Sequence, residues 1–502
     1  MGSLHPAFWH LVSPELVLVG FGVLFLLMSA VKSDDSFKEA LGWLTALGFA
    51  ITLVLTLQIS AAVGGGRVAA LASREGYASL VMDPFSQLFK VVFLVGALLS
   101  VLMSFKSLRV NRALTGEYFT FLVLAVFGMM VMASGTDLLT LWVGLETMAL
   151  SVYVLAAYLR RSAASVEGAF KYFLLGAVSS GFYLYGASFV YGATGSVHLE
   201  AIREALQARI AHGGLEAVGF PFAAGLVILV VALLFKAALV PFHWWTPDAY
   251  EGAATPVTGF MSVAPKAAAF AMMLRVLLEG LGPVAGLWTG LLSAVAIATM
   301  VWGNVAAMLQ DNVKRMLAYS SIAHAGYALV AVVAAGTAPR SGGVGAALFY
   351  MGAYAFMNLG AFGLVLYLER EGCAGDRLDH FNGLVHRRPV LAVCMILFLL
   401  SLGGIPPTAG FMGKFLVFKA AVDAGLYVLA VVLAVTSVIS LYYYYRIVLR
   451  MFLREAEAEE PVSAGWPLGA ALAASVAGTL VLGLYAAPAL EWTARVVLGG
   501  AH

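Results

Sequence analysis

Residues 225–256 read GLVILVVALLFKAALVPFHWWTPDAYEGAATP. The opening of this stretch is apolar on every face, which is the composition of a helix in hydrocarbon. Lys236 then interrupts it, Pro241 lacks the amide that would bond back one turn, and Pro247 repeats the interruption. A helix cannot pass this segment intact. Unwound backbone is tolerated in a bilayer only where protein or a wet cavity covers it. The stretch therefore predicts a broken membrane helix with a cation beside the break, an arrangement from which transporter ion sites are often built.

The rest of the chain obeys the same solvent. Of 502 residues, 62% are hydrophobic and 11% charged, where an average soluble domain carries about 25% charge. So little charge cannot tile a wetted surface, and the mean hydropathy of +0.93 agrees. Apolar runs fall near 13–31, 39–60, 84–104, 118–133, 137–158, 166–191, 220–248, 254–278, 284–308, 314–335, 342–369, 389–420, 425–450 and 464–487. Crossing hydrocarbon takes about 20 helical residues, and the runs lack the alternation of a membrane strand, so a β-barrel is excluded. The expected fold is an all-α polytopic membrane protein of about 14 transmembrane helices. The first run, opening at Pro14 and Glu15, has no basic leader or small-residue cleavage site and reads as a retained helix.

Composition also removes several functions. Cys373 and Cys394 are too few for a cysteine-held iron–sulfur cluster or a disulfide framework. No glycine-rich phosphate loop opens a soluble domain, and a net charge of +2 leaves no nucleic-acid footprint. Electron transfer, if this chain serves any, is performed elsewhere.

Lysines and arginines set the expected sidedness. Loops after odd-numbered runs carry Lys32, Lys38, Lys106, Arg109, Arg112, Arg160, Arg161, Lys314 and Arg315, with more beyond Arg370. The other side holds Arg67, Arg74, Arg203, Arg209, Arg275, Arg340, Lys419 and Arg495, fewer by about two to one. Positive-inside then predicts both termini in the periplasm. On that outer side, 197–212 spaces Leu199, Ile202, Leu206 and Ile210 as an amphipathic helix, expected to touch the membrane interface or a neighbouring protein. The joint 370–388 and the tail REAEAEE (454–460) read as wetted.

The grammar of the opening stretch returns at 401–415, SLGGIPPTAGFMGKF, where Gly403, Gly404, Pro406 and Pro407 precede Lys414. Matching breaks in spans 7 and 12 predict an internal repeat of spans 4–8 and 9–13, inverted because five is odd. The expected units are an N-terminal three-helix segment (1–117), two five-helix repeats (118–278 and 279–454) and a C-terminal helix segment (455–502).

Five lysines lie inside apolar runs, Lys90, Lys171, Lys236, Lys266 and Lys414, with one central carboxylate, Glu146. A charge at a membrane helix centre costs about 2.5–3.5 kcal/mol even on lenient scales, so each needs a partner or a task. The neighbours of Glu146 one turn away, Trp142, Val143, Ala149 and Leu150, cannot satisfy it. Its partner must come from another helix. Pro265 beside Lys266 frees the Met261 carbonyl. Lys171 has Glu167 four residues earlier, so a local salt bridge or snorkelling explains it, and snorkelling also serves Lys90. His324, near Ser320, Ser321 and Tyr327, is by itself a packing histidine; among buried lysines it becomes a relay candidate. His243 and Asp248 lack a third clustered ligand and are expected to line the helix break or its mouth. Tyr350, Tyr354 and Asn358 form one stripe, either a helix seam or a water lining.

The stretches FKAALVPFHWWTPDAYEGAATPVTGFMSVAPKAAAF (235–270) and DNVKRMLAYSSIAHAGY (311–327) resemble the antiporter-like membrane subunits of respiratory complex I. Of the three kinds, L, M and N, the context LWVGLETMALSVYVLAAY (141–158), the lysine at 414 and the lack of a long extra C-terminal helix resemble N. The resemblance implies a proton-translocating, non-redox subunit of an NADH:quinone oxidoreductase in the bacterial inner membrane, with Glu146, Lys236, Lys266, His324 and Lys414 as the path. It further implies that NADH, FMN, iron–sulfur clusters and quinone are handled by other subunits, that the chain itself holds no cofactor or metal, and that neighbouring membrane subunits are its partners. A subunit of a multisubunit cation/proton antiporter is the alternative.

Overall fold

The computed structural model describes residues 3–31, 35–73, 75–111, 116–370, 375–455, 465–496 and 498. Lys32, Arg74, Arg112, Cys373, the acidic run from Glu457 to Glu460 and the C-terminal His502 lie outside them. Among the described residues, 11 helices are long and apolar enough to cross a membrane, and three shorter apolar ones, Ser13–Ser29, Phe220–Lys236 and Pro389–Gly403, complete the series. The chain is a multi-pass membrane protein. Spans 1 to 6 are Ser13–Val31, Asp35–Val63, Pro84–Asn111, Gly116–Ser134, Leu138–Ala156 and Ala163–Thr194. Span 7 is split into Phe220–Lys236 and Trp245–Gly252, and span 8, Thr255–Leu274, ends in a π-helical turn, Arg275–Gly280. Spans 9 to 11 are Ala285–Met308, Val313–Thr337 and Gly343–Leu368. Span 12 is split into Pro389–Gly403 and Ala409–Asp423, and Tyr427–Leu453 and Gly465–Leu484 are spans 13 and 14.

Spans 8, 10 and 11 are buried on nearly all faces and form the centre. Spans 2, 6, 9, 13 and 14 expose apolar side chains such as Phe170, Val301 and Val438 around the perimeter. Polar residues on central helices are thereby removed from lipid, which lets Lys266 and His324 be carried at all.

Local sequence explains the inner helix starts. Asp137 caps span 5 by accepting from the amides of Leu139 and Thr140, and Asn312 caps span 10 by accepting from Arg315. Nine residues before each cap lies a glycine pressed on the following span. A Cβ on Gly128 would meet Met148 N at 2.5 Å, and one on Gly303 would meet Ala323 N at 2.6 Å. Glycine, cap and contacted amide recur in the same register, Gly128, Asp137 and Met148 against Gly303, Asn312 and Ala323. Spans 4 and 5 thus pack by the same device as spans 9 and 10.

The breaks occupy 237–244 in span 7 and 404–408 in span 12. Pro241 and Pro407 sit within them, each preceded by a cis peptide bond. Pro247 does not interrupt the chain as expected: it is the third residue of Trp245–Gly252, where a helical amide has no partner to lose. Ala238 is held at φ 58°, a conformation unfavourable for any residue but glycine.

The face that carries residues 197–212 departs from the sequence reading. A hairpin, Val68–Ala72 paired antiparallel with Ala78–Met82, carries a short third strand at Ser3–Leu4. The amphipathic helix, Leu199–Gly213, buries Leu199, Ile202 and Leu206 against its own chain. Leu199 packs on Gly280 at the end of span 8, and Glu204 accepts from Tyr77 of the hairpin at 2.9 Å. Its apolar stripe is therefore used internally.

Four charges were misplaced by reading depth alone: Lys106 and Lys314, assigned to loops, lie within spans 3 and 10 at 2% and 3% exposure, and Arg275 and Lys90 join them. Arg275 is no loop residue: it is 0% exposed and bonds Asp83, Glu279 and the Ala133 carbonyl. Burial works against a charge on Asp83, but the Arg275 guanidinium outweighs it and holds the carboxyl below its usual range. Lys90 does not snorkel; it is 0% exposed and pairs with Glu15 at 2.6 Å.

Candidate functional site

Lys236 is the last residue of the first half of span 7, so it stands where that helix runs out of backbone partners. Its Nζ donates to Tyr153 Oη at 3.2 Å and Ser180 Oγ at 3.4 Å, and lies 4.0 Å from Glu146 Oε1. Ser180 Oγ in turn donates to that same carboxylate oxygen. Carboxylate and amine therefore meet across three helices, with a hydroxyl between them. The Glu146 side chain is 21% exposed and that of Lys236 4%, so the carboxylate faces the perimeter of the bundle and the amine its interior.

A second cluster fills the centre. Lys266 Nζ donates to the Ser321 carbonyl at 2.9 Å and to Ser321 Oγ. Ser321 and His324 share one face of span 10, three residues apart. His324 Nδ1 is 2.6 Å from Tyr350 Oη and Nε2 3.3 Å from Tyr444 Oη, which also bonds Ser320. The Tyr327 ring links His324 to Lys414: it meets the imidazole edge-on at 5.4 Å and lies 4.9 Å under the Lys414 ammonium. Tyr327 Oη is oriented by Asn304, itself held by Tyr443.

Lys414 occupies the second half of span 12 and reaches back to the first. Its Nζ donates to the carbonyls of Leu402 and Gly403 at 2.9 and 3.1 Å, the C-terminal end of a helix whose dipole favours a cation. Gly404 leaves the room, since a Cβ there would stand 2.8 Å from Lys414 Cδ. The two break lysines are thus placed differently, Lys236 before its break and Lys414 after. Among the described residues no carboxylate pairs with Lys266 or Lys414, and neutral oxygens and ring faces are their company.

From Lys236 a ladder of rings runs to span 8, which carries Lys266. Tyr153, Tyr172, Trp245 and Tyr250 follow one another with centroids 4.5, 3.9 and 6.3 Å apart. Tyr250 Oη donates to the Met261 carbonyl at 3.2 Å, so the acceptor freed by Pro265 is filled.

The secondary candidates divide. Tyr350 belongs to the row, and the Tyr354 ring lies 5.1 Å from His324. Lys171 and Asp248 do not reach it: Lys171 bridges Glu167 and Asp248, both at 2.7 Å, and Asp248 also takes Arg315 at 2.7 Å. These form a half-exposed network at one end of the bundle. His243 lies in the span 7 break, 2% exposed, against Trp244 and Trp302. Among the described residues no metal-ligating group of three or more is assembled.

Sequence reasoning missed Tyr153, Ser180 and Tyr444, and had Ser321 only as a neighbour of His324. Tyr153 was within reach, two turns from Glu146 on the same face. Tyr444 stands in the run Tyr442 to Tyr445, whose middle pair is buried and outer pair exposed. The serines carry no such signal.

Residues 135–440 match the family model described as NADH:quinone oxidoreductase/Mrp antiporter, TM. NADH-quinone oxidoreductase subunit N 1 of Koribacter versatilis is 46% identical over 476 residues, covering 95% of this chain and 92% of that one. Subunit N of Trichlorobacter lovleyi is 41% identical over 489 residues, covering 97% and 96%. A chain of respiratory complex I from Thermus thermophilus with bound aureothin superposes with a TM-score of 0.77 at 35% identity, covering 95% and 98%. A chain of the Mrp complex from Dietzia gives 0.83 at 22% identity, covering 97% and 96%, a likeness of fold. With its centre and both broken helices inside the matched region, this chain belongs to the NADH:quinone oxidoreductase/Mrp antiporter membrane family and, within it, to the subunit N relatives.

Proposed function

We propose that the chain is a proton-translocating membrane subunit of an NADH:quinone oxidoreductase and carries no redox step itself. Protons pass along Glu146, Lys236, Lys266, His324 and Lys414, while NADH, FMN, iron–sulfur clusters and quinone belong to other subunits. The observation that carries this reading is the enclosed row from Lys266 through Ser321 and His324 to Lys414, every member 5% exposed or less. Buried amines and an imidazole without carboxylate partners are costly as scaffolding and useful as proton carriers. Moving Glu146 away from Lys236, or screening it, changes the balance between a held and a released proton. Hydroxyls of Ser180, Tyr153, Tyr350 and Tyr444 relay or orient the proton, and water bridges the ring ladder.

The chain is read as two inverted five-helix units, 118–278 and 279–454, between the segments 1–117 and 455–502. The shared register of glycines and caps supports it. Both termini face the periplasm, and neighbouring antiporter-like and small membrane subunits cover part of the apolar perimeter. The cation/proton antiporter reading is supported by fold likeness, whereas the relatives at 40% identity and above carry the subunit N name.

The test is proton uptake per NADH oxidised by reconstituted complex. Lys236→Ala is expected to lower pumping severely with the complex assembled, Glu146→Ala likewise and Glu146→Asp less. A purely structural pair behaves otherwise: each single change destabilises, and replacing both residues by apolar ones restores the protein. An assembled double variant pumping at the parent ratio would remove both residues from the path.

A further inference from the structure

Outside the central row, a buried pair of opposite charge lies between spans 1 and 3. Lys90 is 0% exposed and Glu15 6%, with Nζ 2.6 Å from Oε1. The other neighbour of Lys90 Nζ is Met82 Sδ at 3.2 Å, and Gln87 Nε2 donates to the same sulfur at 3.3 Å. A thioether is a weak acceptor. Both oxygens of Glu15 and Oε1 of Gln87 are buried without a directed hydrogen bond from any described residue. The contact is close, yet its shell is unfinished, and a buried ion pair is stable only when its remaining lone pairs are met.

Arg275, one helix away, shows a finished structural ion site in the same chain. Its guanidinium makes four hydrogen bonds to Asp83, Glu279 and the Ala133 carbonyl, and Arg67 closes Glu279 from the wet side at 3.2 Å. Arginine also keeps its proton under all ordinary conditions. The charged groups facing this end of span 3 are thus accounted for: Asp83 turns to Arg275, Glu279 and Arg67 lie behind it, and His10 beyond the start of span 1 is exposed. Glu15 and Lys90 are left to each other. Their chemistry repeats that of Glu146 and Lys236, a carboxylate and an amine that can exchange a proton.

We propose that Glu15, Lys90 and Gln87 form a second proton-storing site, separate from the central row, with water as the ligand that completes its shell. Within the pair the N–H bond at Lys90 Nζ breaks as an O–H bond forms on Glu15 Oε1, leaving a neutral amine and a neutral acid at constant proton number. Release follows when that O–H bond breaks as one forms on the bound water, leaving a carboxylate beside a neutral amine. Uptake reverses both steps, so water is the only co-reactant. Neutralisation inside the pair avoids the cost of two desolvated ions. The Gln87 carbonyl accepts from that water. By the lysine and arginine bias this is the outer end of span 3, the side on which the proposed translocation releases protons. The inference rests on that translocation reading.

The experiment compares parent, Lys90→Arg, Glu15→Gln and Lys236→Ala complexes, purified intact and reconstituted in vesicles. Lys90→Arg keeps the charge and the pairing but cannot give up a proton. Glu15→Gln keeps the volume and removes the acid. Proton uptake per NADH oxidised is expected to fall below the parent ratio in both, at unchanged NADH oxidation per assembled complex. A high-resolution cryo-EM map of the parent is expected to hold ordered water between Glu15 and Gln87. If Lys90→Arg does not assemble, Glu15→Gln decides on the same readout. Parent-like uptake in both pair variants, with loss in Lys236→Ala, overturns this site alone and leaves Glu15–Lys90 as helix glue. Parent-like uptake in Lys236→Ala overturns the translocation reading, and this site with it.

Discussion

Tyr153 shows what a neutral side chain contributes beside a buried charge. Its hydroxyl accepts from Lys236 at 3.2 Å while its ring packs on Tyr172, so Tyr153→Phe deletes one acceptor and leaves the packing. A hydrogen bond to a charged group contributes about 1.5–3 kcal/mol. Lys236 in the phenylalanine variant leans more heavily on Glu146, and transfer away from the pair should slow by about tenfold or more, since every 1.4 kcal/mol is tenfold. NADH-driven pumping by assembled complex measures this, and an unchanged rate would make Tyr153 a packing residue only. The charged members of the site were legible in the sequence because a lysine, glutamate or histidine in an apolar run is costly and therefore conspicuous. Ser180 and Tyr444 were not, and the Ser321 contact with Lys266 was not, because serine and tyrosine are common at ordinary contacts between membrane helices. Their meaning depends on which distant helix they face. Lys90 and Arg275 failed for a related reason: position along a helix gives depth, while burial is set by the neighbours.

At the scale of elements, prolines announced both breaks and periodicity announced the spans, but the shape of each break was hidden. Pro247 was counted as a second interruption although it begins the second half-helix, since its missing amide is harmless in a first turn. Close packing was equally hidden, because a glycine in a membrane helix does not say which backbone approaches it. Gly128 and Gly303 have backbone of the next span at 2.5 and 2.6 Å from a would-be Cβ, whereas nothing lies within 4 Å of Gly290. Gly128→Val and Gly303→Val should therefore force two helices apart at about 1–3 kcal/mol or more each, the usual cost of overpacking. Gly290→Val, on the same span as Gly303, should be tolerated. Thermal unfolding of the purified complex in mild detergent, with its yield, distinguishes them. Equal behaviour of all three would remove the claim that these crossings depend on glycine.

For the whole molecule, the number of spans and the central placement of the charges followed from composition and spacing, while the face carrying the hairpin and the helix Leu199–Gly213 did not. The hairpin and the helix Leu199–Gly213 hold each other through Tyr77 and Glu204, a contact between residues far apart in sequence. A segment that looked free for a partner is consumed by its own chain, so association has to be argued from the apolar perimeter instead. Sidedness rests on the lysine and arginine bias alone: Arg275 on one side and Lys106 and Lys314 on the other are all buried, so the ratio stays about two to one. An inverted bundle would still have the same fold and the same row, so this prediction stands apart from the others. Single cysteines at Glu216, beyond the helix Leu199–Gly213, and at Leu309, after span 9, are solvent-accessible reporters for opposite faces. In right-side-out vesicles a membrane-impermeant maleimide should label the cysteine at 216, and the one at 309 only after permeabilisation. The reverse pattern would turn the bundle over, placing Glu15 and Lys90 on the intake side and the Lys171–Asp248–Arg315 network on the release side.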